Sequence, residues 1–428
     1  MPRYPDTFYA RTAETDAARP ALDGAIEAEI CIVGAGLAGL SCAYELARAG
    51  RSVVVLEAQA VGWGASGRNG GFVGPGYARG YASIAAAIGE DAARRLFDLS
   101  IEGMGFVADA IRDLGIAGAR PVHGKISALR YDGAEALKRN QERLARDHGY
   151  AVSFMPTEEV RAVLRSQKYH QALHDPQSFH IHPLNYARAL AAGVEALGGR
   201  IFEGSQVVSA ALDGAQKRLA TAGGTISCRH VVFAAGGYTD RLVPRLRMSQ
   251  LPIATYVLTT EVAPELIGSV IRTRCAISDN RRAGDYYRLV EDGQRLLWGG
   301  RITTRTAEPR DLAALLRRTM ISTYPELAPL KIEMAWSGLM SYARHLMPQI
   351  GTLGPGIWHC LGFGGHGLNT TAIGGRVVAE GILGTSERYR LFAPFGLNWN
   401  GGPFGVAAVQ ATYWYLQLND WLKERKAA

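Results

Sequence analysis

The stretch ICIVGAGLAGLSCAYELARAGRSVVVLE, residues 30–57, constrains the fold of this chain more than any other feature. Its two short apolar runs, Ile30 to Val33 and Val53 to Leu56, are typical of buried parallel strands. Between them, Leu40 to Ala49 predict a helix, which Gly50 would end as a C-terminal cap. The pattern therefore predicts a strand–helix–strand unit of a parallel sheet.

Gly34, Gly36 and Gly39 form a GxGxxG motif at the start of that helix. Gly34 permits a tight turn, Gly36 lets the backbone approach a pyrophosphate, and Gly39 allows the helix to pack closely on the strand. The N–H groups and partial positive charge of a helix N-terminus favour phosphates. Glu57 ends the second strand, where its carboxylate can accept hydrogen bonds from ribose hydroxyls. The complete unit predicts a dinucleotide site.

A second glycine-rich segment, GWGASGRNGG at residues 62–71, follows this unit by only a few residues. A nicotinamide enzyme would continue into alternating strands and helices, whereas these small residues indicate backbone pressed against a large flat ligand. The segment from Ala65 to Gly71 resembles the FAD-dependent amine and amino-acid oxidases of the D-amino-acid oxidase type, especially their γ-glutamylputrescine oxidase branch. The resemblance recurs between about residues 8 and 420, beginning with Phe8-Tyr9-Ala10.

This resemblance implies an α/β fold with a Rossmann-like FAD-binding domain of the D-amino-acid oxidase type. A second, α+β substrate domain would be built on an antiparallel sheet, since residues 251–300 contain short β-rich runs separated by turns. The FAD-binding domain is expected to comprise residues 1–84, 151–240 and 331–428. The substrate domain is expected to comprise residues 85–150 and 241–330.

Three later segments extend the resemblance: a predicted strand at residues 206–208, the turn that follows Val231 to Ala234, and the GFGGHG motif at residues 362–367. A helix predicted from about Leu368 would stabilise the negative charge of reduced flavin. The resemblance implies contacts to FAD from Gly34, Gly36, Leu37, Ala38, Gly39, Glu57, Ala58, Gly64, Ala65, Ser66, Arg68, Asn69, Gly70, Gly71, Val207, Val208, Ala235, Gly236, Gly364, Gly365, His366, Gly367 and Leu368.

The flavin is expected to be non-covalent. Sarcosine-oxidase-like relatives bond the ring through a cysteine just upstream of the final glycine motif, and Gly338 lies near that position here. Cys360 is too close to the glycine motif, and residues 65–71 contain no histidine that could act instead.

Candidate catalytic residues come from the final motif and from the predicted substrate-domain sheet. His366 could contact the flavin or the substrate, or it could only cap local backbone. Tyr256 and Tyr287, with their neighbour Tyr286, could bind an amine through their aromatic faces, or they could be ordinary strand aromatics.

Met340 occupies the position at which glycine-oxidase-like relatives hold an arginine that pairs with the substrate carboxylate. A thioether cannot replace that bidentate partner. The change favours an amine whose carboxylate, if present, lies far from the nitrogen, unless Arg344, Arg301 or Arg282 reaches the site.

The expected reaction is oxidation of a primary or secondary amine, γ-glutamylputrescine-like or another ω-amino compound, to an imine, with O₂ reduced to H₂O₂. An FAD-dependent dehydrogenase or oxidase of glycine, sarcosine or a D-amino acid is an alternative. A non-catalytic flavin-binding protein is an alternative of another class.

Composition narrows the partners and the location. Five widely separated cysteines without a CxxC motif fit a reducing cytoplasm and argue against a zinc site or another metal centre. The net charge of +8 is spread along the chain, which disfavours nucleic-acid binding. No apolar run is long enough to predict a membrane span. The aromatic C-terminal helix could touch a membrane surface or dock on the protein, and a monomer or homodimer is expected.

Overall fold

The computed structural model describes residues 4–281 and 284–427. The strands, in chain order, are β1 (Gly24–Glu27), β2 (Ile30–Val33), β3 (Val53–Leu56), β4 (Phe72–Val73), β5 (Val122–Ala128), β6 (Ser153–Met155), β7 (Ala172–His180), β8 (Arg200–Phe202), β9 (Ser209–Ala211), β10 (Lys217–Ala220), β11 (Gly224–Cys228), β12 (His230–Phe233), β13 (Gln250–Thr260), β14 (Ala276–Asp279), β15 (Tyr286–Val290), β16 (Arg295–Thr303), β17 (Ile332–Ala343), β18 (Gln349–Gly354) and β19 (Ile357–Leu361).

Helices are interspersed among these strands along the chain. They are α1 (Phe8–Thr12), α2 (Leu37–Arg48), α3 (Tyr81–Ile88), α4 (Glu90–Asp113), α5 (Ala134–His148), α6 (Thr157–Val163), α7 (Pro183–Ala196), α8 (Pro244–Arg247), α9 (Pro264–Val270), α10 (Leu312–Thr323), α11 (Gly367–Leu383) and α12 (Gly402–Ala427). None of these helices combines the length and apolar character needed to span a membrane.

A six-stranded sheet carries the predicted strand–helix–strand unit. Its order is β18-β19-β12-β2-β3-β8, with all neighbours parallel except the edge strand β18. β2 and β3 are almost wholly buried, as their uninterrupted apolar sequences predict. The sheet shares one core with helices α2, α4, α7 and α11.

A larger sheet has the order β17-β13-β16-β15-β14-β5-β7-β4, with β6 also paired to β7. Most neighbours are antiparallel, and the pair of β14 with β5 is parallel. Helices α6, α9 and α10 supply residues to the core on one face of this sheet. A four-stranded sheet, β1-β11-β10-β9, is separate in its hydrogen bonding but shares a core with the six-stranded sheet.

Sheet membership departs from the segments expected for each domain. Strands β4, β6, β7 and β17 belong to the large sheet, although their residues were assigned to the FAD-binding domain. Pairing partners come from distant parts of the chain, so the residues of a strand do not reveal which sheet it joins. The division into two domains stays a prediction.

Residues 206–208 do not form the predicted strand. They connect β8 to β9, and the Val208 N–H donates to the Ala220 carbonyl at 2.8 Å. Val207 is buried, whereas Val208 is 62% exposed.

Candidate active site

A cavity of about 1020 Å³ is lined by residues of both the six-stranded and the large sheet. Its volume is at the upper end of the range for small-molecule sites. All the residues predicted to contact FAD line it except Gly39 and Val208. Val208 does not line the cavity and is 62% exposed, so its contact with FAD, expected through the backbone, stays a prediction.

The turn after β2 brings backbone to the cavity wall. Gly34 has φ of +108°, and a Cβ there would lie 3.0 Å from the Ala234 carbonyl oxygen. A Cβ at Gly39 would lie 2.0 Å from the Gly34 oxygen, so the helix packs directly on the turn. Gly36 is the N-cap of α2, and its Cβ would lie 3.0 Å from Ser66 Oγ. A side chain at any of these three glycines would displace a neighbouring group.

Glu57 lies at the carboxyl end of β3 and is held by the backbone. Its two oxygens accept hydrogen bonds from the N–H groups of Ala35 and Gln59, both at 2.8 Å. Burial raises the pKa of the Glu57 carboxyl, against the lowering effect of these hydrogen bonds. The carboxylate therefore fixes the turn and also faces the cavity.

The second glycine-rich segment is stabilised by Asn69. Its amide donates to the carbonyls of Ala65 (3.0 Å) and Ser66 (2.9 Å), while its oxygen accepts from the Gly71 N–H at 2.7 Å. A Cβ at Gly70 would lie 2.6 Å from the Tyr286 ring, so absence of a side chain lets this tyrosine pack against the segment.

Arg288 on β15 also holds the second glycine-rich segment in place. Its buried guanidinium donates to the carbonyls of Gly70 and Ile181, each at 2.8 Å, and to Tyr9 Oη at 3.0 Å. A further contact of 2.9 Å joins it to Nδ1 of His180, whose pKa burial and this cation lower to about 3. Arg288 has no acidic partner among the described residues, so backbone and side-chain dipoles alone stabilise its charge.

The final glycine motif leads into α11, as predicted. His366 is the N-cap residue, but its side chain makes no capping hydrogen bond and lies on the cavity wall. The surrounding protein, together with the Lys125 cation, lowers the pKa of His366 to about 4, so the imidazole is neutral at pH 7. Burial also lowers the pKa of Lys125, another residue of this wall.

The three tyrosines named from the sequence lie on two faces of the large sheet, Tyr256 and Tyr287 on one and Tyr286 on the other. Tyr287 is buried in the core beyond it, stacked on Trp298 with ring centroids 4.3 Å apart, and Tyr256 belongs to the same core. Their neighbours Tyr286 and Thr255 line the cavity. Because side chains alternate along a strand, the expected aromatic contact with an amine moves from Tyr256 and Tyr287 to Tyr286.

Met340 on β17 lines the cavity, and so does Arg301 on β16. Arg301 is the extra residue of a β-bulge: Thr255 pairs with Ile302 and Tyr256 with Gly300, which leaves Arg301 unopposed at φ of +56°. Bulges turn side chains out of the ladder and recur beside active sites. Arg344 lies outside the cavity, and Arg282 lies outside the described residues.

The Asp285 carboxylate offsets part of the positive charge of Arg301 without direct contact. Among the residues that the structure describes, no hydrogen bond or ion pair holds its guanidinium. Burial lowers the pKa of Arg301, the nearby Arg318 and Arg281 act in the same direction, and the Asp285 carboxylate opposes them.

Arg288 and Lys125 were missed by reasoning from the sequence. Arg288 stands 218 positions from Gly70, and Lys125 belongs to a strand with no unusual motif. A single charged residue inside a β-rich run is the only local signal for either. In the described parts of the chain, no cluster of three or more His, Cys, Asp or Glu side chains could hold a metal ion.

Comparison with known proteins identifies the family of this chain. The family model described as FAD dependent oxidoreductase (DAO) matches residues 29–381. The gamma-glutamylputrescine oxidoreductase of Escherichia coli K12 is 33% identical over 92% of this chain and 92% of its own length. A probable oxidoreductase of Haemophilus influenzae is 32% identical, with 90% of each chain covered.

The crystal structure of glycine oxidase from Geobacillus kaustophilus shares the fold. Its TM-score is 0.73 at 21% identity, covering 87% of this chain and 98% of the oxidase. The shared fold, the sequence identities and the glycine-lined cavity all point to the same family. The chain therefore belongs to the DAO family of FAD-dependent oxidoreductases.

Proposed function

We propose that FAD binds along the cavity, without a covalent bond. The turn at Gly34 to Ala38 would hold the pyrophosphate, and Glu57 with Val207 would hold the adenosine end. The segment from Gly64 to Gly71 and the motif from Gly364 to Leu368 would enclose the flavin ring. The glycines of these segments line the cavity, which supports this arrangement, because bare backbone lets a large flat ligand approach closely.

The proposed reaction is oxidation of a primary or secondary amine to an imine, with O₂ as electron acceptor. The amine loses two electrons and two protons, and O₂ gains both to become H₂O₂. Bound FAD supplies the acceptor for the hydride that leaves the carbon beside the nitrogen. The free cysteines support a cytoplasmic location.

The chain's own residues would orient the amine and tune its surroundings. The α11 N-terminus directs partial positive charge at the cavity. Neutral His366 can accept or donate a hydrogen bond without repelling a cationic amine. The Tyr286 ring offers an aromatic face, and burial keeps its hydroxyl protonated by raising its pKa.

An ω-amino compound of the γ-glutamylputrescine type is the substrate class we propose. The carrying observation is Met340 on the cavity wall, where it cannot pair with an α-carboxylate, while the unpaired Arg301 lies elsewhere on that wall. This separation suits an amine whose carboxylate is remote from its nitrogen. The similarity to an enzyme named for γ-glutamylputrescine supports the same class.

Anaerobic mixing with candidate substrates tests the proposal. γ-Glutamylputrescine and related ω-amines should bleach the flavin absorbance, whereas glycine, sarcosine and D-alanine should act far more slowly. Re-admission of air should return the colour with one H₂O₂ per turnover. Bleaching by α-amino acids alone would favour the amino-acid oxidase alternative, and bleaching without peroxide would favour a dehydrogenase. A yellow protein that no amine bleaches would contradict the proposal.

Arg301→Met is expected to lower kcat/KM mainly for amines that carry a remote carboxylate. A lost charge-assisted hydrogen bond corresponds to about 1.5–3 kcal/mol, or roughly 10- to 150-fold in kcat/KM, for an amine carrying a remote carboxylate. For putrescine, which has no carboxylate, kcat/KM should fall by less than about threefold. Steady-state peroxide assays on both amines measure the difference.

The exposed Arg305→Met is the matched control, because it removes a nearby cation outside the cavity lining. Equal losses for both amines in Arg301→Met would show that Arg301 has no role in carboxylate recognition.

A further inference from the structure

Helix α12 carries an apolar stripe on its outer face. The stripe contains Phe404 at 84% exposure, Trp414 at 64%, Tyr415 at 63%, Leu418 at 55% and Trp421 at 51%. Most of the large exposed apolar side chains among the described residues lie between positions 399 and 422. Exposed patches of this kind mark surfaces that another molecule covers.

The opposite face of α12 is already docked on its own chain. Gln410 Oε1 accepts hydrogen bonds from Thr303 Oγ1 at 2.9 Å and from the Thr304 N–H at 3.1 Å. Near the other end, Glu424 lies 3.6 Å from Arg281. The helix is therefore held in place, and its outer stripe is presented on a fixed support.

Spacing along the stripe follows a seven-residue repeat. Phe404, Ala411, Leu418 and Arg425 are each seven positions apart. Trp414 and Trp421 take the intervening positions of the last two repeats. A heptad pattern of this length is the pattern by which one helix packs along another.

We propose that the outer face of α12 pairs with α12 of a second copy of this chain, in antiparallel orientation. Small and large residues divide the stripe: its first half is rich in alanine and its second half in tryptophan, tyrosine and leucine. An antiparallel pair centred between Trp414 and Tyr415 sets opposite each other Ala407 and Leu422, Ala408 and Trp421, and Ala411 and Leu418.

Size matching and charge both favour this orientation. Antiparallel pairing places these alanines against bulky partners and sets only Trp414 and Tyr415, both bulky, opposite each other at the centre. Parallel pairing would set bulky against bulky throughout the second half and leave gaps between alanines. The basic residues Arg425 and Lys426 lie at one end of the helix, while Lys423 packs over the Tyr131 ring of its own chain. Parallel pairing would bring those cations together, while antiparallel pairing sets them beside the uncharged start of the partner helix.

The exposed area is sufficient for a dimer. At about 200 Å² per aromatic side chain, the exposed parts of the four rings in the stripe amount to roughly 500 Å² per copy. Two copies would bury about 1,000 Å² from these rings alone, the size at which a specific interface becomes expected. Two-fold pairing of one surface with itself also gives a closed assembly.

An anionic membrane fits this face less well than a second copy. Helices that lie on membranes usually carry Lys and Arg along the flanks of their apolar face. Residues 402–419 contain no charged side chain at all. The uncharged flanks therefore favour a protein surface.

Light scattering after gel filtration of the holoenzyme tests the pairing. The wild type should have twice the mass of one chain at about 10 μM. Leu418→Glu should raise the dissociation constant of the dimer at least about 100-fold and therefore be monomeric at that concentration. Gln417→Glu is the matched control, because it adds the same charge one residue away from the stripe and should remain dimeric. Flavin content should stay unchanged in both variants, which separates loss of pairing from misfolding.

Cysteine cross-linking tests the orientation. Ala411→Cys mixed with Leu418→Cys should form a disulfide-linked dimer, while Ala411→Cys alone should behave like the wild type. Cross-linking of Ala411→Cys to itself would overturn the antiparallel arrangement. A monomeric wild type, with or without binding to vesicles of anionic lipid, or a dimer that Leu418→Glu leaves intact, would overturn the proposal.

Discussion

Gly36→Val is expected to give a folded but nearly colourless protein, with less than about a tenth of the wild-type flavin content. A β-carbon at this position lies 3.0 Å from Ser66 Oγ, and a valine adds two methyl groups beyond it. The Ser66 hydroxyl accepts from the Leu37 N–H at 2.9 Å, so moving it also disturbs the start of α2. The ratio of flavin absorbance to protein absorbance measures the loss, and fluorescence quenching measures rebinding of added FAD.

Gly105→Val is the control for this substitution. Gly105 is an exposed residue of α4, and a Cβ there would meet nothing within 4 Å. It should retain full flavin content. A Gly36→Val protein that also purified with full flavin would show that the pyrophosphate does not lie against this turn.

Arg288→Met is expected to lower the free energy of unfolding by about 3–5 kcal/mol, because several buried groups lose their donor at once. Methionine approximates the length of the side chain but cannot donate to the Gly70 and Ile181 carbonyls or to Tyr9 Oη. The segment beside the flavin ring would lose its anchor, so FAD should also dissociate more readily. Urea unfolding followed by tryptophan fluorescence measures the first effect, and flavin release on dilution measures the second.

Arg274→Met provides the comparison on the surface. The Arg274 side chain is 57% exposed, and its one ion pair with a described residue is with the almost fully exposed Asp292. Its removal should change stability by less than about 1 kcal/mol. If both variants had similar midpoints in urea, the buried contacts of Arg288 would not contribute as the geometry indicates.

Local patterns in the sequence were sufficient for the strand–helix–strand unit and for the start of the last glycine-motif helix. The strands Ile30–Val33 and Val53–Leu56 have the predicted bounds, and α2 begins three residues earlier than expected. The final glycine motif leads into α11 one residue before its predicted start. These features depend on apolar runs, glycines and helix caps within a few residues of one another.

The substrate side could be predicted only in outline. An antiparallel sheet was expected from the short β-rich runs, and it is present. Which tyrosine faces the cavity was not evident, because Tyr286 and Tyr287 are adjacent and a shift of one position reverses their faces. The bulge that turns Arg301 into the cavity is likewise a property of two paired strands.

Sequence alone thus determined the dinucleotide-binding unit, since its turn, helix and strands are specified by neighbouring residues. Tertiary structure decided which side chains meet at the far end of the cavity, how Arg288 reaches Gly70 across 218 positions, and which stripe of α12 stays exposed. Those outcomes depend on strand register and helix docking, which are set by contacts between segments distant in the chain.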